Sequence, residues 1–135
     1  MDASSPRPLE LILARNLLSS LSTPALLANR TNEIVFYNEA AGALLGRRFE
    51  ESGTLSAEEW LNDFGPLDER GEPIPLEEQP VTIALQANRA AHARHRIRSL
   101  GGAVHVVEVS GMPIIGAGGF HGAMVFFWDS AEPPR

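Results

Sequence analysis

The sequence predicts an α+β fold: a five-stranded antiparallel sheet with helices packed on one face and an N-terminal helix on the other. Three observations carry this. Residues 9–21 repeat leucine at helical spacing; residues 25–46 place two apolar runs around a polar turn and pass directly into a small-residue helix; residues 92–129 hold three β-rich stretches divided by glycine. No internal repeat and no second domain interrupts that order.

The first helix is predicted over Leu9 to Leu21, after a Ser- and Pro-rich lead-in at residues 1–8. Leu11, Leu13, Ala14, Leu17, Leu18 and Leu21 share one arc of roughly 160°, wider than the roughly 100° stripe that a single core contact needs. One broad contact with the sheet would account for the arc, as would two partners, the sheet and a second subunit. Ser22-Thr23-Pro24 ends this helix.

Ala25-Leu26-Leu27-Ala28 and Ile34-Val35-Phe36-Tyr37 then form a hairpin around Asn29-Arg30-Thr31-Asn32. Asn38 stands where strand becomes helix, and its side chain is a natural acceptor for the free N–H groups of the following turn. Gly46, after Leu44-Leu45, suits a left-handed stop. Ser56-Ala57-Glu58-Glu59 has capping-box spacing and opens a short helix carrying Trp60, Leu61 and Phe64. Glu58 and Glu59 are first-turn acids favoured by the helix dipole rather than an acid–base pair. Asp68 to Pro73 is a turn, and Pro80 opens a further helix on which Val81, Ala84 and Leu85 share a face. Strands are expected over His92–Ser99, Ala103–Ile115 and Phe120–Asp129. Gly116-Ala117-Gly118-Gly119 links the last two, and residues 130–135 form a tail.

Absences narrow the function. With no cysteine there is no disulfide, thiolate metal site or cysteine nucleophile. All 11 Lys+Arg residues are arginine, which removes a P-loop lysine, a kinase strand lysine and Schiff-base chemistry. A net charge of −6 opposes a nucleic-acid partner. No apolar run reaches the length of a membrane span and no export signal is visible, so a cytoplasmic location is expected. His92 and His95 sit at odd separation on one strand and cannot chelate together, so no metal site is expected. No hydrolase-type nucleophile context occurs. The stripe of His92, Arg94, Arg96 and Arg98 reads as the solvated face of a strand or as a patch for an anionic partner.

The hairpin ending in Asn38, then Ala40-Ala41 and Leu44-Leu45-Gly46, resembles the opening of a PAS domain. The segment Asp68 to Pro80, with Gly122 and the closing Trp128-Asp129, extends the resemblance to bacterial sensor and regulatory PAS domains over residues 9–129. It implies a non-catalytic sensory domain that binds a small apolar ligand in its core and signals through a homodimer or a partner protein. The competing reading is a ligand-free dimerisation or docking module. Matching Asp129 to the family's closing acid, where a PAS core hands off to an effector, implies either an excised sensor domain or a stand-alone module.

That match also turns Ala123, Val125 and Phe127 towards the helices. There they would wall a pocket with Trp60, Val81, Ala84, Leu85, His95 and Ile97. Leu11, Ala14, Leu18 and Leu21, with Met124, Phe126 and Trp128 on the other face of the last strand, are the expected dimer interface. The cofactor is left unknown. A covalent flavin adduct needs the missing thiol, and haem is disfavoured because the helix that would supply its histidine, Val81 to Asn88, has none.

Overall fold

A computed structural model describes residues 9–116 and 121–130. The lead-in at 1–8, the tail from 131, most of the loop expected at 116–119 and the first residue of the last expected strand lie outside these. The chain begins with helix α1 (Leu9–Ser19), followed by strands β1 (Ala25–Asn29) and β2 (Ile34–Tyr37). Helices α2 (Glu39–Leu45), α3 (Phe49–Ser52), α4 (Ala57–Phe64) and α5 (Pro80–Ala87) come next, then strands β3 (Ala91–Arg98), β4 (Val104–Ile115) and β5 (His121–Asp129). A single 3-10 turn, Leu76–Glu78, precedes α5. The five strands form one antiparallel sheet, as the sequence predicts, and their order is β2-β1-β5-β4-β3.

Local chemistry sets the turns. In the β1–β2 hairpin the Asn29 side-chain oxygen accepts from the backbone N–H groups of Thr31 and Glu33, while Asn32 takes a left-handed conformation at φ 66°. Asp68 does the same in the turn before α5, accepting from Arg70 N at 2.8 Å and Glu72 N at 2.9 Å. Ser56 and Glu59 make the reciprocal capping box at the start of α4. Pro80 occupies the first turn of α5, which ends at Asn88 in a left-handed cap.

The sheet has two apolar faces and therefore two cores. Leu26, Ala28, Val107, Val109, Val125 and Phe127 face Ala41, Leu45, Trp60, Phe64, Val81, Ala84 and Leu85 from the helices. On the opposite face Ala25, Leu27 and Phe36 pack against Ala14 and Leu18 of α1, with Met124 and Phe126 half-buried beside them. Leu18 and Leu27 have no exposed surface, which is worth about 1.5–3 kcal/mol per side chain relative to leaving it in water.

Each edge strand is bridged at one residue by a segment outside the sheet. Ile34 of β2 exchanges two backbone hydrogen bonds with Leu55, and Arg96 of β3 does so with Leu67. Pro113 interrupts nothing, because β3 begins opposite Gly111 and leaves that part of β4 without a neighbour on its second side.

Candidate functional site

The inner core encloses a cavity of about 30 Å³ between the sheet and helices α4 and α5. Six expected pocket residues line it: Trp60, Val81, His95, Ile97, Val125 and Phe127. The other three, Ala84, Leu85 and Ala123, are buried in the same core but do not line the cavity. Leu26, Ile34, Pro66, Gln79, Pro80 and Val109 complete the wall. Alternation along β1 and β4 could have supplied Leu26 and Val109. Pro66 and Gln79 come from irregular chain, whose path no periodicity reveals.

A space of about 30 Å³ holds one or two water molecules, not an organic ligand. The tilted Trp60–Phe64 ring pair, with centroids 5.1 Å apart, and the Phe127 ring fill the volume that a larger guest would need. The wall is apolar apart from two side chains. Gln79 is turned into its own segment by a 3.1 Å hydrogen bond from Nε2 to the Ile74 carbonyl. His95 is 5% exposed. Burial, and then the neighbouring His92, lowers its pKa from 6.5 to about 4, so the imidazole is neutral at pH 7.

His92 and His95 lie on opposite faces of β3, as their odd spacing predicts. His92 Nε2 is 2.8 Å from Glu108 Oε1, and the same carboxylate accepts from Arg94 Nε at 3.1 Å and Ser130 Oγ at 3.0 Å. These bonds, led by that from His92, hold the Glu108 carboxyl below the usual range. Half of the expected basic stripe is therefore neutralised by its own sheet. Among the described residues no cluster of three or more His, Cys, Asp or Glu could hold a metal, and no helix is long and apolar enough to cross a membrane.

The proposed interface residues separate into two groups. Ala14 and Leu18 are 8% and 0% exposed against the chain's own sheet, and Leu11 and Leu21 pack beside them. That corrects the sequence assignment for Ala14 and Leu18, which have little or no surface left for a second subunit, while Leu11 and Leu21 are only partly covered. The wide arc arises because Leu13 and Leu17 turn outward, 56% and 51% exposed, and they continue into Leu9 at 64% and Ile12 at 42%. The helix also ends at Ser19, two residues early, where Ser20 donates from its backbone and hydroxyl to the Leu17 carbonyl. On β5, Met124 and Phe126 are half-covered beside α1, whereas Trp128 lies beyond it, 41% exposed beside His92.

Asn38, at the β2–α2 junction, is 2% exposed and accepts from Ala41 N at 3.0 Å, the expected N-cap.

A sheet of this strand order, with short helices over one face and an N-terminal helix over the other, defines the α+β architecture of the chain. The chain has the PAS fold. The PAS domain of the fruit-fly ELK potassium channel superposes with a TM-score of 0.68 at 14% identity, covering 93% of this chain and all (100%) of that one. That of nitrogen regulation protein NR(II) from Vibrio parahaemolyticus gives 0.63 at 17% identity, covering 87% and 98%. The PAS domain of BvgS from Bordetella pertussis gives 0.59 at 14%, covering 91% and 87%. No family model matches the sequence and no curated protein matches it, so the likeness is one of fold.

Proposed function

We propose that this chain is a non-catalytic PAS regulatory domain of the cytoplasm that signals by protein contact, as a homodimer joined through the outward face of α1. The observation that carries this reading is the contrast between the two cores and the surface. The inner cavity is about 30 Å³, while Leu9, Ile12, Leu13 and Leu17 present one continuous apolar stripe to solvent. A stripe of that kind on a folded domain marks a contact surface. Pairing two copies along it would bury all four side chains.

Leu13→Glu together with Leu17→Glu places charge on this stripe without touching Ala14 or Leu18. The pair should give a folded monomer by light scattering coupled to gel filtration. A dimer that survives both changes removes α1 from the interface.

A second reading, a small apolar ligand in the core, is favoured by His95, a buried polar ring at the wall of a largely apolar cavity. It requires Trp60 or Phe127 to move aside. Native mass spectrometry of freshly purified protein separates the two readings, since it reports subunit count and bound mass together.

A further inference from the structure

The Asn38 side chain does more than cap α2. Its Oδ1 accepts from Ala41 N at 3.0 Å and from Ala25 N at 3.1 Å, and its Nδ2 donates to the carbonyls of Leu18 and Thr23, both at 2.9 Å. A primary amide offers two acceptor sites and two donors, and here all four are engaged. The acceptor side faces β1 and α2, which belong to the sheet and the inner helices. The donor side faces the end of α1 and the linker after it. One buried amide thus closes the N-terminus of one helix and the C-terminus of another.

Helix α1 depends on such attachments. At 11 residues it is too short to persist in water on its own, so its helicity rests on its seat against the sheet. The middle of that seat is apolar, formed by Ala14 and Leu18 on Leu27 and Phe36, with the Arg15 guanidinium 4.5 Å above the Phe36 ring, and at the N-terminal end of the helix the Glu10 carboxyl lies against Gly116. Apolar contacts tolerate sliding, whereas a pair of 2.9 Å hydrogen bonds fixes a register.

We propose that Asn38 is the positioning residue that latches the C-terminal end of α1 to the core, so that α1 keeps its outward stripe in register while the amide's two donors are engaged. This rests on the reading of α1 as the contact surface. It adds that the strand–helix junction of the inner core and the contact helix move together through one side chain.

Substitutions can split the two sides of the amide. Asn38→Ser keeps a good N-cap acceptor for α2 but is too short to reach Leu18. Asn38→Asp keeps both acceptors, yet turns a carboxylate towards two carbonyls and has no proton to give them. When that carboxyl is protonated at lower pH, one donor returns.

The test is amide hydrogen exchange read by mass spectrometry, with sedimentation velocity on the same samples. In both variants α1 amides should exchange roughly tenfold faster or more, while α2 and the β4–β5 pairing keep their protection. In Asn38→Asp, α1 protection relative to the parent at the same pH should recover as the carboxyl protonates. A merely structural loss would not show that recovery. Unchanged α1 exchange in Asn38→Ser, or α2 loosened as much as α1, overturns the latch. Asn38→Ser carries the test if Asn38→Asp does not fold. If the parent sediments as a monomer and α1 still loosens, the latch stands and the contact reading alone fails.

Discussion

Gly111 on β4 lies so close beneath Pro80 that a Cβ on it would sit 2.8 Å from the Pro80 carbonyl oxygen and 3.0 Å from its carbon. Both are backbone atoms and cannot swing aside. The first turn of α5 therefore rests on bare backbone, and this contact sets the height of α5 over the sheet. Gly111→Ala should lift the N-terminus of α5 and disturb Pro80 and Val81 in the cavity wall. A cost of about 1–3 kcal/mol is expected, the range for overpacking. Urea melts would read it; an unchanged midpoint would mean that α5 is not seated where Gly111 places it.

Val125 faces the cavity from β5, opposite Gly111 on β4. The free space beside it, about 30 Å³, accepts one further methyl-sized group and little more. Val125→Ile should be nearly neutral in thermal melts, or slightly stabilising. Val125→Trp, which a roomier ligand pocket would accommodate, should instead force neighbouring side chains off their rotamers and destabilise by about 1–3 kcal/mol or more. A stable, cooperatively folding Val125→Trp would show that the cavity opens readily, and would favour the ligand reading.

Much of this was legible in the sequence because local chemistry and global fold agree there. The β-branched and aromatic run 34–37, Asn38 and the small-residue helix after it each have one good solution, and the structure adopts it. Alternation on β5 puts Val125 and Phe127 on one face, and the family resemblance at Asp129 turns that face inward, because both faces of the strand are apolar. The division of the α1 arc was not legible. Leu13 and Leu17 carry the same side chain as Leu18, and only the seating of the helix decides which leucine meets the sheet. The bridges from Leu55 and Leu67 to the two edge strands were equally hidden, since a single bridge has no period. The donor half of Asn38 bonds to residues 15 and 20 positions away, a separation that no local pattern encodes.

His95 gives the domain a stability that depends on pH. It is buried from the apolar side, and the groups around its outer approach are Glu69, Arg94 and Arg96, with His92 on the other face of the same strand. Burial, and then His92, lowers the folded-state pKa to about 4 from an ordinary 6.5. The sign follows from which state binds the proton. Above pH 6.5 neither the folded nor the unfolded chain is protonated at this ring, and its contribution is fully present. As pH falls towards 4 the unfolded chain takes up a proton that the folded chain refuses, and stability is lost at up to about 1.4 kcal/mol per pH unit. Carboxylates begin to titrate at the lower end of the same window, so the parent's profile alone does not isolate the ring. His95→Phe keeps a planar side chain and removes the titration. Denaturant melts of both proteins at about pH 7 and about pH 5, either side of the ordinary histidine pKa, should show a smaller loss of stability in His95→Phe than in the parent. Equal losses would mean that the ring is protonated in the folded state and reaches water through the surface lined by Glu69 and Arg96.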